Sequence, residues 1–510
     1  MKKLLALVLA LLLALSIASI SSAEELDLPW GDEWITLKVS VFDRGTAGNT
    51  PADNNFYTQW IQENFGDPRH IKVEWVVIPR SDEVGKLQTL MAGGEAGDIS
   101  FTYTESVVTN FVAQGGLWEL TDLINEYGPN IKEFLCEDIL AAGRYDGGQY
   151  SIPARRVVVA DQGMFIRGDL LKELSLEMPT TKDELADVMA AFKEAYPDKV
   201  VWTWSKNLTG NHIVSYSFLK DVSQESFATL PLIMHEGIED YVVYLNWLYN
   251  EGYMGPDFAL MDDNALYSEV ASGKGLIYQF NYDHPIRVSP GVMSTLKANK
   301  PDAEFLPLNC FESVIDDTKY YHNSYNPWGL NNFIPKTCEH PEAAIMYLDW
   351  LCQYDTIYFL QNGVEGITYD LNEAGIPVIR QEGIPADMVF NSMQNIDYTL
   401  LVNGTWLDDP SKLIAAQAPS YQYPEYYEDE YIVGNTDLIL DGYHFDVVLE
   451  NDSKYGTTLS DLFQEILTKT TVAAPEDCLD LFYELRDEYM AQGGQAVMEE
   501  KLEAWENSHS

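Results

Sequence analysis

The segment Ile71-Lys72-Val73-Glu74-Trp75-Val76-Val77-Ile78, closed by Pro79, is rich in β-branched and aromatic residues and predicts a β-strand. Upstream of it, residues 37–41 alternate between apolar and polar side chains, which indicates a second, half-buried strand. An aromatic-rich helical candidate near residues 56–65 separates these two strands. A β-α-β order predicts parallel strands, so the chain is expected to have an α/β fold.

Downstream, the chain continues with a helix and a third, short strand. The helix is predicted around residues 83–91 and is expected to stop at Gly93-Gly94, and the strand begins within residues 98–101. The tip Thr102-Tyr103-Thr104-Glu105 follows that strand. Because ligands collect at the carboxyl ends of strands in open α/β sheets, this tip is a candidate ligand contact.

Three further local signals concern structure rather than chemistry. Asp146-Gly147 predicts a hairpin turn, because both residues tolerate the positive φ that a tight turn needs. Thr181 and Glu184 have the spacing of a capping box at the start of a helix. Pro341 is expected to open one long helix that ends near Asn362-Gly363.

The N-terminus has the order of a secretory signal peptide. Lys2 and Lys3 precede an apolar run over residues 4–20, and small residues ending at Ala23 form a cleavage site. Residues 1–23 are therefore predicted to be removed, and the mature protein is expected to be secreted or held at the extracellular face of the membrane. An uncleaved anchor is the alternative, since the run lies at the lower edge of spanning length. No cysteine follows the cleavage site, so lipid attachment is not expected, and retention at the cell surface is left unexplained.

Composition and charge narrow the classes of partner. The 510 residues are too many for one hydrophobic core, and 46% hydrophobic residues suffice to bury two or more. The formal net charge of −49 would repel phosphate backbones and anionic lipid, which argues against nucleic-acid binding and electrostatic membrane docking. The same argument disfavours polyanionic ligands. The charge also has a plain interpretation as a solvated surface that keeps an exported protein soluble.

Motifs for metal binding and for common hydrolytic chemistry are missing from the sequence. The chain has no CxxC pair, HExxH, GxSxG or Walker A motif, so neither a zinc site nor a disulfide framework is predicted. One disulfide bridge remains open among five scattered cysteines, namely Cys136, Cys310, Cys338, Cys352 and Cys478.

Several longer segments match the sequence motifs of one bacterial family, and they occur in the same order along the chain. They are MAGGEAGDI at 91–99, QGGLWELTDLI at 114–124, DGGQYSIP at 146–153, FIRGDLL at 165–171, PTTKDEL at 179–185, ASGKG at 271–275, HPEAA at 340–344 and GVEGITY at 363–369. Together they resemble the extracellular solute-binding proteins of bacterial ABC importers, specifically the sugar-type family 1 that includes oligosaccharide-binding lipoproteins. The resemblance covers roughly residues 36–375.

The resemblance implies a two-lobed periplasmic-binding-protein type II fold of the α/β class, with a hinge and an interlobe ligand cleft. It implies chain crossings near 155–161, 326–330 and 390–400. Lobe 1 is then expected over residues 36–160 plus 329–395, and lobe 2 over 161–328 plus 396–510. Larger relatives carry a calcium loop after the helix of the PTT motif, but too few oxygen ligands follow that helix here, so no metal or other cofactor is expected.

The function implied is that of the extracellular substrate-binding component of an ABC importer. It would capture an oligosaccharide between its lobes and deliver it to the permease subunits, without catalysis and as a monomer. A ligand that favours the closed lobes would drive the closure. The alternatives are a protein that binds peptides or other small solutes, a secreted glycoside hydrolase, and an adhesion module that binds polymer without closing.

Candidate ligand contacts are aromatic and planar polar side chains, because a sugar ring has an apolar face and a rim of hydroxyls. They fall at predicted strand ends, crossings and family motifs: Asp43, Arg44, Tyr103 and Glu105 in lobe 1, Arg155, Trp204, Asn281 and Tyr282 at the hinge and in lobe 2, and Trp328 and Glu365. A structural role is an equal alternative for Asp43 as a helix cap and for Tyr103 as a packing residue. Tyr282 is favoured as a stacking aromatic. Trp328 is either hinge packing or the floor of the cleft, and for Glu365 and Tyr369, which belong to a family motif, a structural cap is at least an equal alternative. The tyrosine-rich segment 421–431 is either a ligand wall or a surface loop.

Overall fold

The computed structural model describes residues 28–45, 50–287, 291–321, 324–380, 382–427 and 443–509. The predicted signal peptide at residues 1–23 lies outside these ranges. Within them, none of the helices is both long and apolar enough to span a bilayer.

Short strands alternate with helices along the described chain. The strands are β1 (Ile35–Asp43), β2 (Ile71–Pro79), β3 (Ser100–Thr102), β4 (Arg144–Tyr145), β5 (Gly148–Gln149), β6 (Ile152–Arg156), β7 (Gln162–Arg167), β8 (Val200–Thr203), β9 (Gly275–Asn281), β10 (Phe305–Leu308), β11 (Trp328–Phe333), β12 (Tyr369–Leu371), β13 (Pro377–Ile379) and β14 (Val402–Asn403). The helices are α1 (Phe56–Ile61), α2 (Glu83–Gly93), α3 (Glu105–Ala113), α4 (Thr121–Tyr127), α5 (Pro129–Leu140), α6 (Gly168–Leu174), α7 (Lys182–Ala195), α8 (His212–Tyr216), α9 (Gln224–Thr229), α10 (Ile238–Asn250), α11 (Asp263–Ala271), α12 (Val292–Asn299), α13 (Pro341–Leu351), α14 (Tyr354–Asn362), α15 (Ile396–Thr399), α16 (Glu450–Val472), α17 (Cys478–Tyr489) and α18 (Gln495–Ser508).

The first lobe is built on β1, β2 and a neighbouring sheet in the order β14-β6-β11-β3. β1 and β2 are parallel, with Leu37 opposite Val73, which confirms the strand pairing predicted from the sequence. A parallel bridge between Val39 and Ile99 connects β1 to the segment that enters β3. The carboxyl ends of β1, β2 and β3 therefore lie at one edge.

The second lobe is built on the sheet β10-β7-β9-β8, in which β8 and β9 run parallel. Side chains on β7 alternate between its two faces, as the period of a strand requires. Met164 and Ile166 belong to a large core cluster on one face, whereas Phe165 belongs to a separate cluster with Tyr278 and Phe305 on the other. Both faces of this sheet are thus covered.

Each lobe has its own hydrophobic core. The first core gathers buried residues between positions 37 and 154 and between 330 and 401. The second core gathers residues between 164 and 311, together with the C-terminal helices α16, α17 and α18. Asn246 on α10 fastens α16 to this core, because its side-chain amide donates to the carbonyls of Thr470 and Ala473 at 2.9 Å each.

Three backbone segments lie side by side between the lobes, at residues 155–160, 324–328 and 401–403. Their hydrogen bonds run from the N–H of Tyr325 to the carbonyl of Val159 (2.8 Å), and from the N–H groups of Arg155 and Val157 to the carbonyls of Leu401 and Asn403 (2.9 Å each). We call these segments the hinge. The first two overlap the predicted crossings at 155–161 and 326–330, which stay predictions. Leu400 and Leu401 pack in the first core, and Leu407 and Ala416 still pack with Ile376 of the first lobe, so we propose that the third crossing follows residue 416. The other lobe boundaries stay predictions.

The local predictions have mixed outcomes. The hairpin is confirmed, with φ of 51° at Asp146 and 79° at Gly147. The Thr181 side chain accepts from the N–H of Glu184, and the Glu184 carboxylate accepts from the N–H and the hydroxyl of Thr180. The prediction of a single long helix after Pro341 is wrong, because α13 ends at Leu351 and α14 begins at Tyr354.

The five cysteines, all within the described ranges, are free thiols. Cys136 is exposed and the other four are buried. The bridge that the sequence left open is therefore not formed in this structure.

Candidate functional site

A cavity of about 580 Å³ lies beside the hinge, where strands of both lobes end. Its size is within the range of sites that bury small ligands. The lining side chains are mostly tyrosines, amides and arginines, from Arg80, Tyr103, Arg156, Val158, Ala160, Asn281, Tyr282, Asp283, Arg287, Tyr325, Gln394, Asn403, Gly404, Gln417 and Tyr421. We call this the interlobe cavity.

On the first lobe, Glu83 fixes the wall formed by Arg80 and Tyr103. One oxygen of its buried carboxylate accepts from the Arg80 guanidinium at 2.8 Å, and the other accepts from the Thr102 hydroxyl and from the N–H of Tyr103. The Arg80 guanidinium lies 5.2 Å from the centre of the Tyr103 ring. The end of β2 and the tip after β3 are thereby joined in one rigid arrangement.

The side chain of Arg156, the last residue of β6, lies over the ring of Tyr325. Its guanidinium carbon is 3.9 Å from the ring centre, and Nε donates to the carbonyl of Trp328 at 3.4 Å. A side chain at Gly329 would begin 3.1 Å from the guanidinium, so the glycine leaves room for the arginine. The segment 325–329 thus positions Arg156 from two sides.

On the second lobe, hydrogen bonds connect the residues that follow β9. The Asn281 amide donates to the Tyr325 hydroxyl at 2.6 Å, and the Tyr421 hydroxyl donates to Asp283 at 2.8 Å and lies 3.3 Å from that of Tyr282. Burial raises the pKa of both Tyr282 and Tyr421 well above the ordinary value, so both are neutral hydroxyls. Such groups can donate to and accept from the hydroxyls of a sugar.

His284 lies behind this wall and gives the fold a pH dependence. It is fully buried against Tyr267 and Phe280, and burial, together with the charge of Arg287, lowers its pKa well below the usual value. In the unfolded chain the imidazole takes a proton at about pH 6.5. Between the two pKa values the unfolded state binds more protons than the folded state. The free energy of unfolding should therefore decrease by up to about 1.4 kcal/mol for each unit by which the pH is lowered below about 6.5.

Denaturation by urea at about pH 7.5 and 5.5 measures this loss. The variant His284→Gln should lose less stability between the two pH values than the control His509→Gln, whose histidine is exposed. Equal losses in the two variants would contradict the assignment.

A smaller cavity of about 140 Å³ lies at the end of β8, against the same sheet. Trp204 and Trp202 line it with their rings 5.1 Å apart. Both indole N–H groups, with Oδ1 of Asn211 and Oε1 of Gln279, are buried and have no partner among the described residues. These atoms can hydrogen-bond a polar group that enters the cavity.

The structure brings some of the predicted site residues together and leaves others apart. Tyr103, Asn281 and Tyr282 line the interlobe cavity, and Trp204 lines the smaller cavity. Asp43 is exposed and accepts from the N–H of Gly45 in its own turn. Their roles as ligand contacts stay predictions.

Five further predicted residues do not line either cavity. Arg44 forms a bidentate ion pair with Asp397, with hydrogen bonds of 2.9 and 2.7 Å. The Glu105 carboxylate accepts from the Tyr145 hydroxyl and contacts His444 at 2.9 Å. Arg155 points away from the interlobe cavity and donates to the carbonyls of Phe134 and Leu135. Trp328 packs against the first core, and Glu365 is exposed next to the buried Tyr369.

Sequence reasoning missed Arg80, Arg156, Arg287 and Tyr325 as lining residues. A signal was present for two of them, because Arg80 directly follows the strand that Pro79 closes and Tyr325 lies in the same crossing as Trp328. The tyrosine-rich segment that begins at Tyr421 was left open as a ligand wall or a surface loop. Tyr421 forms part of the cavity wall, while residues 428–431 of that segment lie outside the described residues.

Comparisons with known proteins agree with this architecture. A model of the family described as bacterial extracellular solute-binding protein matches residues 47–353. The chain is 25% identical over 390 residues to lipoprotein LipO of Bacillus subtilis (strain 168), covering 73% of this chain and 74% of LipO. It is 26% identical over 326 residues to the polygalacturonan/rhamnogalacturonan-binding protein YtcQ of the same organism, covering 59% of this chain and 61% of YtcQ.

Solved structures with the same fold cover nearly the whole chain. Alginate-binding protein AlgQ2 without calcium ion superposes with a TM-score of 0.68 at 19% identity, covering 93% of this chain and 98% of AlgQ2. An HMO-binding, ABC-transporter-associated solute-binding protein from Bifidobacterium longum infantis gives 0.67 at 16% identity, with 92% and 98% covered. These likenesses confirm the predicted two-lobed α/β fold.

Proposed function

The chain belongs to the bacterial extracellular solute-binding proteins, and from this premise we propose that it is the substrate-binding component of an ABC importer and captures an oligosaccharide in the interlobe cavity. The relatives and structural neighbours support the ligand class, since the names of several state that they bind polygalacturonan, fructooligosaccharide or alginate. Delivery then follows from closure of the lobes, which presents the loaded form to the permease subunits.

The observation that carries the proposal is the composition of the interlobe cavity. Tyr103, Tyr282, Tyr325 and Tyr421 supply aromatic surface from both sides of the hinge, and amides such as Asn281 stand between them. Aromatic rings pack against the apolar face of a sugar, and planar polar groups match its hydroxyls. A ligand held by both walls would favour the closed state over the open one.

The finer parts of the proposal are binding without catalysis, action as a monomer, and export with cleavage after Ala23. Of the residues that line the interlobe cavity, Asp283 carries the one carboxylate, and it is engaged by Arg287 and Tyr421. Glycoside hydrolysis generally uses a pair of carboxyl groups on either side of the scissile bond. The arrangement therefore supports a binding role.

Isothermal titration of the chain without residues 1–23 against oligosaccharides and short peptides tests this proposal. We expect saturable binding of at least one oligosaccharide, which chromatography should then recover intact after long incubation. Peptide binding alone would overturn the ligand class, and shortened oligosaccharide products would overturn the binding-only role.

A further inference from the structure

The interlobe cavity concentrates positive charge in a strongly acidic chain. The sequence has 31 lysines and arginines against 80 aspartates and glutamates, yet three arginines and one aspartate line the cavity. Arg80 and Arg156 belong to the first-lobe side and Arg287 to the second-lobe side, so both walls carry a guanidinium.

Two of these arginines already have a carboxylate partner. Arg80 pairs with Glu83 at 2.8 Å, and Arg287 pairs with Asp283 at 2.6 Å. Arg287 keeps a buried Nε–H that has no partner within the described part of the chain. Each of these two sites is therefore close to neutral, although its guanidinium retains donors for a ligand.

Arg156 differs because no carboxylate of the described residues lies within ion-pair distance of it. Its contacts are the face of the Tyr325 ring at 3.9 Å and the Trp328 carbonyl at 3.4 Å. Stacking occupies the face of the guanidinium and the Trp328 carbonyl engages Nε, which leaves the terminal Nη1 and Nη2 groups as donors for a ligand. A half-buried charge without a counterion has an unfavourable desolvation free energy. An anionic ligand group would offset this free energy and also form new hydrogen bonds.

We propose that the captured oligosaccharide is acidic, and that Arg156 binds a carboxylate of one of its uronate residues. This inference rests on the proposed function and assigns its ligand class. The two parallel N–H groups of a guanidinium match the two oxygens of a carboxylate, a geometry that neutral hydroxyls do not offer. Arg80 and Arg287 are placed to donate to further acidic groups along the chain of sugars.

The net charge of −49, taken as one uniform field, argues against polyanionic ligands. At physiological ionic strength, however, exposed charges are screened over about 8 Å. The acidic outer surface then slows the approach of an anion, whereas the groups in contact with it decide its affinity. Arginines inside the cavity can therefore hold an anion that the rest of the surface repels.

The test uses trigalacturonate and trimannuronate, each paired with its carboxyl-reduced, neutral trisaccharide. In isothermal titration, at least one acidic member should bind roughly tenfold to a hundredfold more tightly than its neutral partner. Its affinity should fall as sodium chloride is raised, while the affinity of a neutral trisaccharide should not.

Variants locate the effect. Arg156→Gln should abolish most of the preference for the acidic member, Arg156→Lys should keep part of it, and Gly329→Ala should weaken it by displacing the guanidinium without changing the charge. Arg380→Gln is the control, because it removes an arginine whose ion pair with Asp370 is exposed. It should leave the preference unchanged.

Equal or tighter binding of the neutral trisaccharides would overturn this inference and leave the proposed function standing. Equal weakening of both members of a pair by Arg156→Gln would overturn it too. If no oligosaccharide bound, acidic or neutral, the proposed function would fail and the inference with it.

Discussion

Replacing Arg44 with alanine should lower the free energy of unfolding by about 3 kcal/mol or more, because it leaves the buried Asp397 without its counterion. The Asp397 side chain is 1% exposed and accepts two hydrogen bonds from Arg44. After the substitution, the side-chain donor that remains to it among the described residues is the Asn391 amide at 2.7 Å. The free energy of one neutral hydrogen bond is too small to offset the desolvation penalty of a buried carboxylate.

The natural control is Arg380→Ala. Arg380 donates two hydrogen bonds to Asp370 at 2.7 and 2.6 Å, which is the same bidentate geometry on the exposed surface. Exposed pairs contribute about 0–1 kcal/mol, so this variant should unfold at nearly the urea concentration of the wild type. Similar losses in the two variants would contradict the role of burial. An additional Asp397→Leu change in the Arg44→Ala background should recover part of the stability.

Replacing Tyr282 with alanine should weaken oligosaccharide binding by about 2 kcal/mol, roughly thirtyfold. The ring lines the interlobe cavity, is 7% exposed, and lies 6.2 Å from the ring of Tyr427. Removing it takes aromatic surface from the ligand and loosens the wall that Tyr421 and Tyr427 complete. Isothermal titration with any oligosaccharide that binds the wild type measures the loss.

Two companions separate binding from folding. Tyr282→Phe keeps the ring and loses the hydroxyl near Tyr421, so it should retain most of the affinity. Tyr483→Ala removes an exposed tyrosine of α17 and should change nothing. If Tyr282→Ala bound as tightly as Tyr483→Ala, Tyr282 would not belong to the binding site.

Local pattern predicted the framework of the first lobe well. Alternation at residues 37–41 and the strand at 71–78 are signals within single elements, and the parallel pair β1–β2 follows from them. The same reasoning located the tip after β3, where Tyr103 lines the interlobe cavity. The two-lobed fold came from the resemblance to a family, since no linker marks a boundary in the sequence.

Side chains whose partners are remote in sequence could not be predicted. Arg44 and Asp397 are 353 positions apart, so nothing near Arg44 shows that it is already paired. Arg156 lines the interlobe cavity, whereas the predicted Arg155 does not, and the sequence could not distinguish them for another reason. Neighbouring residues of a strand point to opposite faces, and which face of β6 meets the cavity depends on how the sheet packs.

Small-angle X-ray scattering of the chain without residues 1–23, with and without a saturating oligosaccharide, tests the central claim most directly. The claim is that the ligand binds between the two lobes and closes them, so the radius of gyration should decrease when it is added. The decrease should be absent with a sugar that titration shows not to bind. Tight binding of an oligosaccharide with no change in the radius of gyration would contradict capture between the lobes and would favour an adhesion module instead.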